Sequence, residues 1–290
     1  MPLLTREEYL PDPLLPLEIR PAGVRTDTPP DHGHEFTEMV LVTAGAGTHI
    51  HGSVPYPISR GDLFVIASEQ THAYADPREL EVLLFLFEES HFLERFPDLP
   101  RLSGYQGFFH LEPRMRARHR RLGKVHLSGR TLSGFTASAA SIREEKAARP
   151  EGYALRCSLL FGALLVEICR AFVADETPRS RELRRLGDVM ALLEERFDEP
   201  WSLGRLAAEV HVSPSTLTRY FKRATGKTPI NYLTDLRLAR ARGLLLSTDL
   251  TVSQIAAQSG FAEGNYLART FKARLNMTPT AFRRRGTKPA

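Results

Sequence analysis

The chain has 290 residues, of which 42% are hydrophobic and 25% charged, values ordinary for a globular protein long enough to form two domains. Its first residues lack the basic and apolar stretches of a signal peptide, and no apolar run approaches the roughly 20 residues that span a bilayer. Cys157 and Cys169 fall in one predicted helix, roughly 18 Å apart, which excludes a disulfide between them and favours a cytoplasmic protein.

The net charge of +5 is unevenly distributed along the chain. From Glu182 to Ala290 there are 18 basic and 10 acidic residues, a net charge of +8, whereas the preceding residues carry −3. A basic C-terminal part on a mildly acidic body predicts a polyanionic partner for that part alone.

The N-terminal half begins with a proline-rich stretch, residues 1–30, which we interpret as an arm lying on the next domain. From about residue 32 to 90, short β-branched and aromatic runs alternate with glycines. Phe36–Thr43, Asp62–Ile66 and Val82–Phe87 are the clearest strands, and their spacing predicts a small barrel or sandwich.

Two helices are predicted after the strands, over residues 132–147 and 153–173. The second is apolar on more than one side, which predicts that a second copy of the chain covers part of it. The polar stretch 176–181 contains Pro178 and is predicted to be a linker. Basic residues alternate in the run 114–121, which is typical of a solvated face or an acidic contact and less so of a DNA contact.

The last hundred residues contain a degenerate repeat. Leu206-Ala207, Phe221-Lys222 and Pro229 recur as Ile255-Ala256, Phe271-Lys272 and Pro279, with an offset of 49 residues at the front and 50 at the back. Two short helices joined by a tight turn and used twice predict a pair of helix-turn-helix units that bind DNA at neighbouring places.

Helix boundaries follow from caps and apolar spacing in both units. The predicted helices are Leu203–Val210, Pro214–Ala224, Pro229–Ser247, Val252–Ser259 and Glu263–Ala273. Either Tyr266 or Leu267 is predicted to be buried in the last of them. The candidate DNA-contacting residues are Ser213, Ser215, Thr216, Arg219 and Lys222 in the first unit and Glu263, Asn265, Arg269 and Lys272 in the second.

This stretch resembles the C-terminal domain of AraC/XylS-type transcription regulators over about 100 residues. The matching elements are Arg237, Ala241 and Leu244-Leu245, then Ile255-Ala256, Gly260-Phe261, Tyr266, Phe271-Lys272, Thr278-Pro279 and Phe282-Arg283. Leu267 stands where the family usually has phenylalanine and Asn276 where it usually has glycine. The resemblance implies that two recognition helices enter successive major-groove segments, and that an activator would contact RNA polymerase.

The N-terminal half resembles the cupin family in two motifs. His32-Gly-His34-x3-Glu38-x6-Gly45 is similar to the first motif, and Gly61-x10-His72 has the spacing of the second, although Ala67 and Glu69 depart from it. On one extended strand, His32, His34 and Glu38 share a face. Together with His72 they could form a three-histidine, one-carboxylate metal site.

A polar role without metal, or a purely structural role, remains open for the same residues. The candidate effector-binding residues are His32, His34, Phe36, Glu38, His72 and Tyr74, with Tyr56 and Phe64 as further pocket candidates. No cofactor is required for this interpretation, although a divalent metal could occupy the barrel. His49 and His51 share a strand face with each other and could lie on either surface of the barrel; a structural role is favoured for both.

These observations predict an α+β protein with two domains. Residues 1–175 form a cupin-like β-barrel followed by helices, 176–181 a linker, and 182–290 an all-α double helix-turn-helix domain. The predicted function is a cytoplasmic, homodimeric transcription regulator, not an enzyme, that binds double-stranded DNA and responds to a small molecule. Because the arrangement looks like that of the arabinose and rhamnose regulators, a sugar is the first effector to test. The alternatives are a ligand-independent DNA-binding protein whose barrel only dimerises, and a cupin metalloenzyme fused to a DNA-binding domain.

Overall fold

The structure, a computed structural model, describes residues 3–25, 31–52, 54–116 and 124–286. It divides into two compact units, Met1–Gly187 and Asp188–Ala290. The first unit is built on a sheet and the second is helical, so the predicted two-domain α+β class is confirmed.

One antiparallel sheet organises the first unit, in the strand order β2-β7-β4-β6-β8, with β5 also paired to β4. The long strands β4 and β7 pair from Thr37 opposite Phe87 to His51 opposite His72. The strands are β1 (Leu3–Leu4), β2 (Leu17–Val24), β3 (Gly33–His34), β4 (Thr37–His51), β5 (Val54–Ser59), β6 (Asp62–Ile66), β7 (His72–Phe87) and β8 (Val125–His126).

Strand β2 corrects the interpretation of residues 1–30 as an arm throughout. It pairs with β7 along its whole length, from Leu17 opposite Phe87 to Val24 opposite Leu80. Pro21 disguises this strand in the sequence, but an edge strand tolerates proline because one side of it has no ladder partner. The arm is therefore limited to the residues before β2, which include the short strand β1 and the helix α1 (Arg6–Tyr9).

Both faces of the sheet are buried. The inner face, which carries Val40, Phe64 and Val82, forms one apolar cluster. The opposite face packs on helices, where the ring of Phe85 lies 5.4 Å from that of Phe135. Burial on both sides explains why Val82–Phe87 reads as a continuous apolar run.

Irregular pairing in the middle of β4 changes which residues face inward. His49 lies seven positions after Val42 on β4, but their partners on β7, Tyr74 and Val82, lie eight positions apart. Gly45 has φ +69° at this bulge, and a Cβ there would lie 2.0 Å from the carbonyl oxygen of Glu79, so the site requires glycine. The net shift of one residue puts His49 on the inner face.

Helices complete the first unit. They are α2 (Glu89–Arg95), α3 (Ser103–Tyr105), a π-helical turn (Gln106–Leu111), α4 (Glu112–Arg116), α5 (Gly129–Ala148) and α6 (Tyr153–Ala174). Contrary to the sequence-based expectation, α6 is long and apolar enough by length and composition to cross a membrane, with a mean hydropathy of 1.9. Half of its apolar window is buried, and Phe161 packs against Phe85 and Phe87, as in the core helix of a globular domain.

The predicted linker 176–181 is wrong in its second half, because helix α7 (Pro178–Glu195) begins inside it. The Thr177 hydroxyl accepts a hydrogen bond from the backbone N–H of Ser180 at 3.2 Å, as an N-cap does. Pro178 takes the first helical position, where its missing N–H has no consequence. These two residues are a helix-start signal that the polar composition of the stretch concealed.

The second unit follows the predicted helices within two residues. The five predicted helices are α8 (Leu203–Glu209), α9 (Pro214–Thr225), α10 (Pro229–Ser247), α11 (Val252–Gln258) and α12 (Gly264–Leu275). A further helix, α13 (Pro279–Gly286), follows them, and its bounds were not predicted. Leu267 is fully buried while Tyr266 is 47% exposed, which decides between the two predicted core residues. Asn276 adopts the left-handed conformation, with φ +55°, that glycine would otherwise supply.

Candidate functional site

A cavity of about 470 Å³ lies on the inner face of the sheet. Five of the six candidate effector residues, His32, Phe36, Glu38, His72 and Tyr74, line it, whereas His34 is not among its lining residues. The remaining walls include Arg20, Val24, Val82 and Leu84 from the sheet and Leu4 and Tyr9 from the arm.

The four predicted metal or polar ligands converge on the carboxylate of Glu38. Its Oε2 atom lies 3.3 Å from Nε2 of His34 and 3.5 Å from Nε2 of His72. One ligand atom each from His32, Glu38 and His72 fall within 4.8 Å of one another. The convergence therefore includes all four residues, with Glu38 at its centre.

The local backbone that brings them together differs from the single strand expected. The chain bends between β3 and β4, so His32, His34 and Glu38 do not lie on one uninterrupted strand. His32 is instead held by two backbone hydrogen bonds with His72, of 3.2 and 3.0 Å. The bend places Nδ1 of His34 2.6 Å from the carbonyl oxygen of Phe36, which orients Nε2 toward Glu38.

Burial and charge set the ionisation of this group. Burial raises the pKa of Glu38, but the neighbouring His72, His34 and His32 outweigh it and bring that pKa below its usual value. Burial lowers the pKa of His34, although the charge of Glu38 opposes the shift. A carboxylate flanked by imidazole rings can coordinate a divalent cation or hydrogen-bond a hydroxylated ligand.

His49 and His51 also belong to this interior, a placement that the sequence left open. His49 is directly opposite Tyr74 and His51 directly opposite His72 on β7. The rings of His49 and His72 are 5.5 Å apart, and His49 also contacts Phe64 at 4.6 Å. The parity shift in β4 is the reason, since the sequence does not reveal where a strand bulges.

The position of Arg116 differs from the sequence-based prediction. It is fully buried instead of standing on a solvated face, while residues 118–121 of the same basic run lie outside the described residues. Its guanidinium forms an ion pair with the buried Glu112 and donates a 2.6 Å hydrogen bond to the carbonyl oxygen of Val65. The hydroxyl of Tyr56 donates to the Arg116 carbonyl oxygen at 2.7 Å, and so serves packing of this helix end.

The N-terminal arm forms one wall of the cavity. Strand β1 pairs in parallel with β3, and the backbone N–H of Glu35 donates to the carbonyl oxygen of Leu4 at 3.1 Å. The ring of Tyr9 lies 5.7 Å from that of Phe36, and Arg6 forms a 3.1 Å ion pair with Glu88. Leu4 and Tyr9 also pack against the buried cluster of Leu10, Phe36 and Leu86, so the arm closes this side of the cavity.

The second unit presents two short helices, α9 and α12, at matching positions of the repeat. Eight of the nine candidate DNA-contacting residues are exposed, and Thr216 is half-buried. Ser213 also caps α9, because its hydroxyl accepts a 3.2 Å hydrogen bond from the backbone N–H of Thr216. Glu263 is the N-cap residue of α12 and is exposed, and it makes no side-chain capping bond there.

Comparison with known proteins identifies both units. A profile of AraC-like ligand binding domains matches residues 17–128, and a profile of helix-turn-helix domains matches residues 206–285. The HTH-type transcriptional activator RhaR of Enterobacter sp. (strain 638) is 29% identical over 264 residues, covering 90% of this chain and 89% of that protein. The chain belongs to the AraC family of transcription regulators.

A further relative and two solved structures are also similar to this chain. The RhaR activator of Salmonella schwarzengrund (strain CVM19633) is 28% identical over 87% of this chain and 86% of its own length. Among solved structures, an AraC-type regulator from Chromobacterium violaceum is 35% identical, covering 37% of this chain and 95% of that chain, with a TM-score of 0.34. The DNA-binding domain of AdpA, solved with a target DNA, is 31% identical over 35% of this chain and 91% of that chain, with a TM-score of 0.34.

Membership of the AraC family assigns a role to each unit. The second unit binds DNA through its helix-turn-helix pair, and the first is a ligand-binding domain. Apart from Leu4 and Tyr9, the residues that line the cavity lie within the matched ligand-binding region.

Proposed function

We propose that this regulator binds a small, neutral, sugar-like effector in the cavity beside Glu38 and changes its DNA binding in response. The observation that carries the proposal is the cavity itself, whose walls combine Glu38, His32, His72 and Tyr74 with apolar strand residues. A few convergent polar groups in a largely apolar cavity are typical of small-molecule sites. The cavity also counts against the alternative of a barrel that only dimerises.

The ionisation of the site favours hydroxyl groups as the ligand's polar part. A neutral imidazole offers one donor and one acceptor, and Glu38 offers acceptors alone. A polyhydroxylated molecule can both donate and accept at adjacent carbons, so it satisfies such a mixed set. The binding energy would favour the conformation in which the arm covers the cavity, and the regulator would respond by population shift.

Thermal-shift measurements on the full-length protein against a panel of sugars test this function. We expect at least one sugar to raise the melting temperature, and Glu38→Gln to abolish that increase while the variant still folds. Glu81→Gln, an exposed carboxylate on β7, is the matched control and should respond like the original protein. A panel of pentoses, hexoses and deoxyhexoses without any stabilisation would favour the ligand-independent alternative.

We propose no obligatory cofactor, and a divalent metal as an optional occupant of the Glu38 site. Ligand atoms bound tetrahedrally at about 2.0–2.2 Å lie about 3.4 Å from one another. The distances of 3.3 and 3.5 Å from Oε2 of Glu38 to Nε2 of His34 and His72 fit that geometry. The hydrogen bond that orients the His34 ring fits it as well. Such an ion would polarise a bound hydroxyl, and calorimetric titration with Zn²⁺ should show saturable binding that Glu38→Gln removes.

We propose that α9 and α12 are the recognition helices and that the nine candidate residues contact DNA. Arg219 and Arg269 occupy matching exposed positions. Replacing either with alanine should cost about 1–3 kcal/mol of binding free energy if it contacts a base. If the arginine contacts phosphate alone, its replacement would weaken binding to all DNA sequences alike. The slope of log K against log salt concentration would then fall by about one in magnitude. Unchanged affinity of both variants for the native promoter would contradict this placement.

We propose that the regulator is a homodimer joined through α6. Leu155 and Leu159 are 60% and 55% exposed, and Ala163 continues the same stripe at i+8. Leu155→Glu combined with Leu159→Glu should give folded monomers with weak promoter affinity, because two reader domains no longer share one site. Sedimentation showing that the unmodified protein is monomeric at micromolar concentration would contradict the proposal.

The relatives are transcriptional activators, which supports a regulator and not an enzyme. We propose accordingly that the protein acts in the cytoplasm, contacts RNA polymerase at its promoter, and has no membrane partner. Turnover by the protein loaded with metal would instead favour the cupin metalloenzyme alternative.

A further inference from the structure

A second group of polar side chains adjoins the cavity beside Glu38 on the inner face, and Tyr74 belongs both to this group and to the cavity wall. We call His49, His51, Tyr74 and Arg116 the inner cluster. Both ring nitrogens of His49, Nδ1 of His51, the Tyr74 hydroxyl and Nη1 of Arg116 are buried and have no hydrogen-bond partner in the part of the chain that the structure describes. His49 and Arg116 are completely inaccessible. Buried polar atoms in native proteins are almost always satisfied, so this cluster calls for a partner.

The members of the inner cluster face one another across the sheet. His49 and Tyr74 are directly opposed on β4 and β7, with their rings 5.4 Å apart. The Arg116 guanidinium lies 5.9 Å from the ring of Phe64, which in turn contacts His49. The charge of Arg116 also acts on both His49 and His51, since it helps to lower the pKa of each. Arg116 therefore lies near both imidazoles.

The chemistry of the cluster defines the group that fits it. Arginine only donates hydrogen bonds, whereas a neutral histidine and a tyrosine hydroxyl can donate or accept. The charge of Arg116 is already balanced by Glu112, so the cluster does not demand an anion. The complementary group is an oxygen that accepts from Nη1 of Arg116, as a hydroxyl or a carboxylate oxygen can.

Arg116 is also the end of a helical segment that runs away from the cluster. This segment, residues 103–116, packs on α6 through glycines: a Cβ on Gly104 would lie 2.4 Å from the Cys169 carbonyl oxygen, and one on Gly107 2.5 Å from the Phe172 ring. Its first turn touches α7, where a Cβ on Gly187 would lie 2.4 Å from the Ser103 carbonyl oxygen. Contacts this close leave no flexible side chain to absorb a displacement.

We propose that the inner cluster is a subsite for an oxygen-bearing group of the effector, and that Arg116 transmits its occupancy through segment 103–116 to helix α7. The proposal rests on the proposed function, in which the adjoining cavity binds an effector. A ligand oxygen on Nη1 fixes the Arg116 side chain and the helix end that carries it. Gly187 lies in helix α7 and contacts Ser103, so a shift of segment 103–116 acts on that helix.

Histidine side-chain NMR of the full-length protein tests the subsite. The probes are sodium formate, compared with sodium chloride, and separately ethylene glycol. We expect at least one probe to shift the His49 and His51 resonances saturably, and Arg116→Lys to weaken that response at least fivefold while Arg143→Gln, an exposed arginine on α5, does not. A response to formate alone identifies a carboxylate, and a response to glycol alone a hydroxyl.

The same spectra separate this proposal from the function it rests on. Shifts of His32 and His34 without shifts of His49 and His51 would overturn the inner subsite and leave effector binding in the cavity intact. No shift of any histidine with either probe up to 0.5 M would overturn the subsite as well, while the sugar screen would still decide the proposed function.

Amide hydrogen exchange tests the transmission. In the original protein, the probe that shifts His49 should also slow exchange in residues 112–116 and 178–187. Gly187→Ala should speed exchange in residues 103–116 and reduce the probe response at His49 at least threefold. Gly134→Ala is the matched control, because a Cβ there meets nothing within 4 Å. Exchange that changes in residues 112–116 but never in 178–187 would overturn the transmission, and so would a Gly187→Ala variant that folds and retains the full probe response.

Discussion

The inner face of the sheet and the helix-turn-helix unit differ in how many polar side chains they bury. Among its described residues the second unit buries one polar side chain, Ser259, whose hydroxyl donates to the carbonyl oxygen of Ile255 at 2.5 Å. The inner face buries Glu38, several histidines and Arg116 together, with polar atoms that lack partners. We call the second unit the reader unit and the first the sensor unit. The described interior of the reader unit is almost entirely apolar, whereas the sensor unit buries polar groups without partners, which lowers stability.

The largest expected change in the free energy of unfolding comes from Arg116→Gln in the inner face. The change removes the cation that is paired with the fully buried Glu112 carboxylate. Breaking one partner of a buried ion pair costs about 3–5 kcal/mol, so the free energy of unfolding of the first unit should fall by that amount. Urea unfolding followed by far-UV circular dichroism measures the loss.

The control for this prediction is the double variant Arg116→Met with Glu112→Leu, which removes both charges and should recover most of the loss. A loss below about 1 kcal/mol in the single variant would mean that the pair is hydrated in solution. The interior would then be less different from an ordinary surface than the structure indicates.

The second prediction concerns the apolar core of the reader unit. Leu267→Ala should lower the free energy of unfolding of that unit by about 2–5 kcal/mol, because Leu267 is fully buried and its removal leaves a cavity. Tyr266→Ala is the matched neighbour, 47% exposed, and should cost less than about 1 kcal/mol. Equal losses in the two variants, measured by urea unfolding, would contradict the assignment of the core face of α12.

The two regions also differ in how far the sequence determines them. Caps, apolar spacing and the repeat are local signals, and they located every helix from α8 to α12 within two residues. The Glu38 cluster followed from the spacing of its motif. The inner cluster did not, because a net shift of one residue around Gly45 reverses which β4 residues face inward. Arg116 was equally hidden, since its burial depends on contacts with β6, about fifty residues earlier in the chain.

The third prediction uses the acid sensitivity of the sensor interior. Burial, with the charges of Arg116 and His72, lowers the pKa of His51 to about 4. The unfolded value is about 6.5, so the unfolded state binds more protons between these two limits. Stability is therefore complete above about pH 6.5 and falls as the pH drops toward about 4, by up to about 3 kcal/mol at about 1.4 kcal/mol for each pKa unit.

Calorimetry of the full-length protein at pH 7.5, 6.0 and 5.0 measures this effect on each unit separately. The second unit serves as the internal control, because its one histidine, His211, is exposed. His51→Gln should make the sensor transition less dependent on pH. A sensor transition that moves no more than the reader transition over this range would contradict the prediction.

The smallest predicted effect compares the turns of the two helix-turn-helix units. His211 and Gly260 occupy matching places 49 residues apart, and both adopt the left-handed conformation, with φ +54° and +77°. Gly260 also has no room for a side chain, since a Cβ would lie 2.7 Å from Cα of Asp198, whereas His211 is exposed.

A left-handed conformation costs a residue with a Cβ about 1–2 kcal/mol, partly offset by the greater backbone freedom that glycine loses on folding. His211→Gly should therefore raise the free energy of unfolding of the reader unit by about 0.5–1 kcal/mol, measured by urea unfolding, while Gly260→Ala should lower it by more than 1 kcal/mol. A destabilised His211→Gly variant would mean that the histidine side chain makes a contribution to this turn that its conformational strain does not outweigh.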